Sequence, residues 1–262
     1  MTPTGLRRAA ERWIRDHDLA VVEDIRTDDF RTSPFWNGLI VCRWKEDNRD
    51  SSMITADQCP VPLLQYPGEF AALLDLYRTL EPRTVLEIGS LFGGTLWHWL
   101  RLAPQAALIL NIDTLVSIQD PRCAPQKAGH DGLWAKWASG FGVTLKTFGG
   151  YSNDPAILAK VRVALTERSR VDCSRRGSDN MQPCLDFLFL DGDHSYQAVK
   201  FDYIHYGSLV RPGGLIALHD ILDRPTSQVA RLWSEIVQSG AKTREFIESP
   251  DQPEMGIGVV FA

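Results

Sequence analysis

Two short clusters of acids and imidazoles carry the chemistry this chain could perform. Asp191, Asp193 and His194 stand in the run DGDH, directly after the apolar stretch LDFLFL. His219 and Asp220 close a second apolar stretch, LIALHD. Carboxylates and imidazoles set side by side repel or go unsatisfied unless a cation or a substrate joins them. Such a cluster can strip a proton from a hydroxyl in two ways. A divalent cation lowers the hydroxyl pKa and orients the group. A neutral imidazole accepts the proton near pH 7. Plainer roles stay open for each residue. Asp191 and Asp193 could cap the following helix, His194 could bond to backbone beside that cap, and His219 could be a core histidine donating to a carbonyl.

Both clusters depend on strands to aim them. The second half of the chain alternates strand and helix. The pattern predicts strands at Thr84–Ile88, Ala107–Ile112, Thr144–Phe148, Leu185–Leu190 and Leu215–Leu218. It predicts helices at Pro67–Leu80, Gly94–Leu102, Leu133–Ser139, Asp154–Arg168, Tyr196–Leu209 and Ser227–Ser239. Continuous apolar strands with intervening helices indicate a parallel sheet covered on both faces. The carboxyl ends of its strands share one edge, where ligands bind, so the two clusters are expected to meet there. Thr243–Ile247 and Gly258–Phe261 are joined only by a loop and are therefore expected to pair antiparallel.

A turn built for close approach stands at that same edge. Strand Thr84–Ile88 runs into Gly89-Ser90-Leu91-Phe92-Gly93-Gly94-Thr95 and then a helix. Glycines let backbone come near a ligand, and the helix N-terminus offers free N–H groups. Glycine spacing alone also suits dinucleotides and phosphates. Two acids favour S-adenosylmethionine (SAM). Glu87 precedes the turn and can pair with the methionine ammonium. Asp113 ends the next strand and can accept both ribose hydroxyls. Neither acid shows an evident packing role in the sequence.

These stretches resemble a known family. VLEIGSLFGGT is similar to motif I of class I SAM-dependent methyltransferases, and LILNIDT to their ribose-binding strand. LDFLFLDGDHSY followed by LVRPGGLIALHD resembles the group holding cephalosporin hydroxylase-like proteins and metal-dependent macrolide-sugar O-methyltransferases. The resemblance covers roughly residues 62–262. It implies an α/β, Rossmann-like fold: a mostly parallel seven-stranded sheet, helices on both faces and a C-terminal antiparallel hairpin. It implies that Glu87, Gly89, Ser90, Gly93, Gly94 and Thr95 surround the methionine part of SAM and that Asp113 holds the ribose. Ser152, in GGYSNDPAIL, falls next to the adenine, with Gly150-Tyr151 replacing the usual Gly-Asp pair. Asp191 matches the first metal ligand and could instead take the SAM amino group. His194 matches the base, and Asp220 one of an acidic metal-binding pair. His219 stands where the sugar enzymes carry the second acid, which leaves the metal open. Mg²⁺ prefers oxygen, whereas manganese, iron or zinc tolerates imidazole better.

The expectation is therefore an O-methyltransferase with SAM as cofactor, acting on a small hydroxylated molecule such as a sugar or secondary metabolite. His194 and Asp191 are its catalytic residues. A divalent metal, Mg²⁺ or Mn²⁺, is assigned to Asp191, His219 and Asp220. The alternatives are methylation of nitrogen or nucleic acid, and a nicotinamide-binding oxidoreductase. A net charge of −5 gives no basic field for nucleic acid. The Gly89-to-Gly94 spacing departs from GxGxxG, and the C-terminal hairpin fits a dehydrogenase poorly. Five scattered cysteines without a CxxC pair indicate neither a zinc site nor a disulfide framework. With no signal peptide or membrane-spanning run, a cytoplasmic location is the simplest reading. Residues 1–61 are expected to form an extension, with an amphipathic helix over 5–18, that covers substrate or contacts a second copy. Residues 169–184 read as a surface insertion. Trp97 and Trp99 are expected in the core. Trp134 and Trp137 fit core better than a pocket, and Gln65-Tyr66-Pro67 could cover the cofactor.

Overall fold

Apolar residues recur at helical spacing after Pro67, and the computed structural model contains the helix they predict. The structure describes residues 40–41, 62–63, 65–91, 93–114, 130–176, 183–222, 227–252 and 255–262. A short antiparallel pair, β1 (Ile40–Val41) and β2 (Pro62–Leu63), precedes helix α1 (Pro67–Leu80). Then follow β3 (Thr84–Ile88), α2 (Gly94–Leu102), β4 (Leu108–Asp113), α3 (His130–Phe141), β5 (Thr144–Gly149) and α4 (Pro155–Arg176). The chain continues through β6 (Leu185–Leu190), α5 (Tyr196–His205), a 3-10 turn at Gly207–Leu209, β7 (Val210–His219), α6 (Val229–Gln238), β8 (Thr243–Phe246) and β9 (Ile257–Phe261). The helix expected at 5–18 lies outside the described residues.

Seven strands form one sheet in the order β5-β4-β3-β6-β7-β9-β8. All pairs are parallel except those of β9, which runs antiparallel to both β7 and β8. The expected α/β architecture and its C-terminal antiparallel hairpin are therefore both present. Placement of the last two strands follows burial. β9, IGVVF, is almost wholly buried and lies between two neighbours, whereas β8, TREF, is the partly exposed edge. Charge on an edge strand also discourages further pairing.

Alternation along the central strands builds two cores. Val85, Ile109, Phe187 and Phe189 face α1, α2 and α3, where they meet Phe70, Tyr77, Trp99 and Trp134. Leu86, Ile88, Leu110, Leu188 and Leu190 face α4, α5 and α6. The period of two puts successive side chains on opposite faces. Trp97, Trp99 and Trp134 are buried in the first core, and Trp137 packs against it, so their packing reading holds. No helix among the described residues is long and apolar enough to cross a membrane.

Two expectations need correction. Residues 169–176 do not belong to an irregular insertion: they continue α4 to Arg176. The strand expected at Leu215–Leu218 starts earlier, because β7 already begins at Val210 and takes in Arg211-Pro212-Gly213-Gly214. That opening is fastened by Asp186. Its Oδ1 receives Arg211 Nε at 2.5 Å, and its Oδ2 receives the Arg83 and Thr84 amides at 2.7 and 2.9 Å. Asp186 thus locks the amino ends of β3, β6 and β7, at the edge opposite the acid and histidine clusters.

Candidate active site

The carboxyl ends of β3, β4, β6 and β7 bring both clusters and the glycine turn together. β3 pairs with β6 in register from Val85↔Phe187 to Ile88↔Leu190, and β6 with β7 to Leu190↔Leu218. The residue after each strand therefore emerges at one level. Asp191 N donates to Ile88 O at 2.9 Å, which continues the ladder one step past β6. Gly89 has φ +86, and a Cβ there would collide with the Asp191 carbonyl. Only glycine lets the β3 turn descend onto that backbone. Gly93 has φ +88, and a Cβ on it would strike the Trp134 indole.

Four side chains then converge. Asp191 Oδ1 lies 3.1 Å from His219 Nδ1 and 3.4 Å from His194 Nε2. His194 Nδ1 lies 3.1 Å from Asp220 Oδ2, and His219 Nδ1 lies 3.7 Å from Asp220 Oδ1. Asp191, His219 and Asp220 each present a ligand atom within 4.8 Å of the others, which is the trio assigned to a metal from the sequence. Asp220 takes a left-handed backbone, φ 62, to turn inward. Burial opposes the charge on Asp191, but the imidazoles of His219 and His194 overcome it and hold the carboxyl at about 2. Burial likewise opposes an imidazolium at His219, yet Asp191 and Asp220 lift it to about 9. Asp193 turns away from this group: its Oδ1 accepts the Ser195 amide at 2.8 Å, at the start of α5.

The glycine turn is held from beneath by the two acids expected to touch cofactor. Glu87 is fully buried, with Ser90 Oγ and Thr95 Oγ1 donating to its two oxygens and Trp99 Nε1 reaching Oε1 at 3.2 Å. Burial pushes its carboxyl up to about 8, against those hydrogen bonds. Asp113 Oδ2 accepts the amides of Ser90 at 2.9 Å and Leu91 at 3.1 Å. Both acids thus have packing roles that the sequence did not suggest. Asn111, an amide inside the apolar run of β4, donates to Ser90 Oγ. Gly94 and Thr95 form the first turn of α2 above Glu87. Ser152 is tied into the fold as well: its hydroxyl bonds Asp202, and its carbonyl accepts Tyr206 Oη at 2.7 Å.

Sequence reading missed three buried polar groups. Glu69, in the first turn of α1, accepts Glu248 N at 3.1 Å, Gln252 Nε2 at 2.6 Å and Gly256 N at 3.2 Å. It anchors the β8–β9 loop, whose Gly256 carbonyl in turn accepts Ile221 N at 3.3 Å, next to Asp220. Asp202 on α5 is buried, and burial raises its carboxyl to about 7. His98 on α2 is buried among Phe70 and Trp97, and neither ring nitrogen has a hydrogen-bond partner among the described residues. Only the polar letter inside an apolar face could have flagged them.

Comparison with known proteins decides the family. Residues 86–221 match the profile described as Methyltransferase domain. The chain belongs to this family. It is a methyltransferase, and the matched span takes in both the glycine turn and Asp220. Among curated proteins none matches. Among solved structures, this methyltransferase resembles TomG, the Streptomyces achromogenes O-methyltransferase involved in tomaymycin synthesis, solved with SAM. The two share 15% identity over 75% of this chain and 80% of that one, with a TM-score of 0.50. The Bacillus cereus O-methyltransferase, solved with SAH, shares 18% identity over 74% of this chain and 80% of that one, at a TM-score of 0.46. At these identities the likeness is one of fold.

Proposed function

We propose that this methyltransferase moves the methyl group of SAM to a hydroxyl oxygen of a small molecule, a sugar or secondary metabolite being favoured, with His194 as the base. The observation that carries this reading is the contact of His194 Nδ1 with Asp220 Oδ2 at 3.1 Å. A carboxylate at Nδ1 can hold the N–H on that nitrogen, which leaves Nε2, 3.4 Å from Asp191 Oδ1, as the nitrogen proposed to take the acceptor's proton. The acceptor oxygen attacks the sulfonium methyl in line. The carbon–sulfur bond breaks toward sulfur, S-adenosylhomocysteine leaves, and the hydroxyl proton passes to His194 Nε2. Gly89 to Thr95 and Asp113 are proposed to line the methionine and ribose parts of SAM, and Ser152 to border the adenine.

Asp191, His219 and Asp220 fit a divalent cation: two carboxylates and an imidazole converge, with His219 and Asp220 buried and Asp191 partly exposed. A bound ion would lower the hydroxyl pKa and orient it. The nitrogen ligand favours Mn²⁺ over Mg²⁺. A second reading is supported by His219, whose pKa near 9 lets an imidazolium balance the same two carboxylates. The test is methyl transfer from labelled SAM to a panel of hydroxylated sugars and phenols, with EDTA and then with Mn²⁺. Transfer to oxygen that disappears in His194→Ala supports the proposal. Transfer to nitrogen, or full turnover in His194→Ala, would overturn it.

A further inference from the structure

His194 reaches its partners from a loop. Strand β6 ends at Leu190 and α5 begins at Tyr196, so residues 191–195 carry the ring between them. The ring meets Asp191 at 3.4 Å and Asp220 at 3.1 Å. Asp191 is itself braced, since Gln65 Nε2 donates to its Oδ2 at 3.2 Å. Gly192 makes the loop backbone permissive, so something else has to hold the main chain that carries His194. The hold comes from α6. Gln228, just ahead of that helix, donates its main-chain N–H to the His194 carbonyl at 2.9 Å, and its side-chain Oε1 accepts the Tyr196 amide at 3.1 Å. One residue thus grips both sides of Ser195, which itself offers α5 no side-chain cap. Arg231 and Glu235 share a face of α6 with Gln228, at i+3 and i+7. The Arg231 guanidinium lies 3.8 Å over the Tyr196 ring, and Glu235 Oε1 accepts Tyr196 Oη at 2.6 Å.

We infer that Gln228 is a positioning residue for His194, holding the ring between Asp191 and Asp220 through the main chain of residues 194–196. The inference rests on the reading of His194 as the base. The main-chain bond survives any substitution except proline. What the side chain adds is the acceptor on the Tyr196 amide. Without it, α6 holds the segment by the His194 carbonyl alone, and the segment can swing about that point. A displacement on the order of 1 Å is enough to cost a catalytic group its geometry. Gln228 is exposed, so water replaces the lost acceptor and little stability is at stake. A helix cap would be read in the melting temperature, a positioning residue in the ring.

The test is long-range proton–nitrogen NMR at pH 8 on the full chain, isotope-labelled at histidine, which reads the protonated nitrogen of each ring. His194→Ala assigns the signal. Wild type is expected to show a neutral His194 with its proton on Nδ1. Gln228→Met, similar in length but without the acceptor, is expected to lose that single form to a mixture of both tautomers. Gln228→Glu keeps an acceptor, its charge suited to the N-termini of α5 and α6, and is expected to keep the wild-type signal. His98, on the opposite face of the sheet, should not move in either variant. On acceptors found in the hydroxyl panel, kcat in Gln228→Met is expected to fall about ten- to a hundredfold at an unchanged KM for SAM. An unchanged His194 signal in Gln228→Met would overturn the inference, as would wild-type kcat. So would His98 and His194 shifting together, the mark of a general loosening. Should Gln228→Met not fold, loss of the wild-type signal in Gln228→Glu overturns it alone. A wild-type ring protonated on Nε2 would refute the base itself, a different failure, and the inference falls with it.

Discussion

His194 Nδ1 lies 3.1 Å from Asp220 Oδ2, a contact that joins the end of β6 to the end of β7. The ring's other nitrogen, Nε2, lies farther from a carboxylate, 3.4 Å from Asp191 Oδ1, and the proposed base role falls to it. Replacing His194 by Ala is expected to lower kcat by about 10² to 10⁴ while S-adenosylhomocysteine affinity holds. Asp220→Asn should retain the imidazole but misdirect it, with a smaller loss in kcat and no change in KM for SAM. Steady-state kinetics beside calorimetry separates the two. Equal kcat in wild type and His194→Ala would dismiss the base.

The cation is decided by a titration. Mn²⁺ added to EDTA-stripped protein is expected to give a saturable heat that vanishes in Asp220→Ala. Because coordination displaces protons from its ligands, the heat should vary with buffer ionisation enthalpy. Turnover that survives EDTA unchanged would favour His219 as the positive charge of the site.

His98 makes folding sensitive to acid. Burial, with Arg101 and Arg78 in its field, lowers its pKa to about 3 in the fold. The unfolded chain binds that proton near pH 6.5. Between those values the unfolded state holds more protons, so stability rises with pH by about 1.4 kcal/mol per unit. This contribution is complete above pH 6.5 and is lost as pH falls. Urea midpoints of His98→Leu should lose this slope, and the apolar side chain also removes two unsatisfied nitrogens. An unchanged slope would show that His98 finds a proton acceptor in the fold.

Asp202 acts in the opposite direction. Burial raises its folded pKa to about 7, against the Ser152 hydrogen bond, whereas the unfolded carboxyl titrates near 4. The folded state holds the extra proton between these values, so stability falls by about 1.4 kcal/mol per unit as pH rises from 4 to 7. Asp202→Asn should be the more stable chain at pH 8 and nearly equal at pH 4. From pH 4.5 to 6.5 the His98 and Asp202 slopes oppose, and Glu87, whose carboxyl burial lifts to about 8, adds a fall of its own. Compared with wild type, His98→Leu should lose stability more steeply as pH rises and Asp202→Asn less steeply, in denaturant midpoints. Slopes identical to wild type in both variants would remove this account.

Asp186 separates stability from function. It fastens β3, β6 and β7 at the edge away from the site. Asp186→Ala leaves two amides and the Arg211 guanidinium short of an acceptor, at a cost of about 2 to 4 kcal/mol. Thermal unfolding should register that loss, while S-adenosylhomocysteine affinity measured well below the transition stays the same. A tenfold change in affinity would tie the two edges together.

The sequence determined the sheet and the side on which chemistry occurs. LILNID, LDFLFL and LIALH can only be strands covered on both faces, and whatever follows them shares one edge. That is why Asp191, His194, His219 and Asp220 were legible as a group. Periodicity is a local property, written in consecutive letters. Tertiary structure decided what depends on partners far apart in the chain. It sequestered Glu87 beneath Ser90, Thr95 and Trp99, turned Asp113 toward the amides of the glycine turn, and set Gln65 against Asp191. It also inserted β9 between β7 and β8. The insertion follows from burying IGVVF in place of TREF, but only a folded sheet has an inside and an edge to choose between. Hydrogen-bond partners of a buried acid are fixed by which surfaces meet, and no spacing along the chain encodes that meeting.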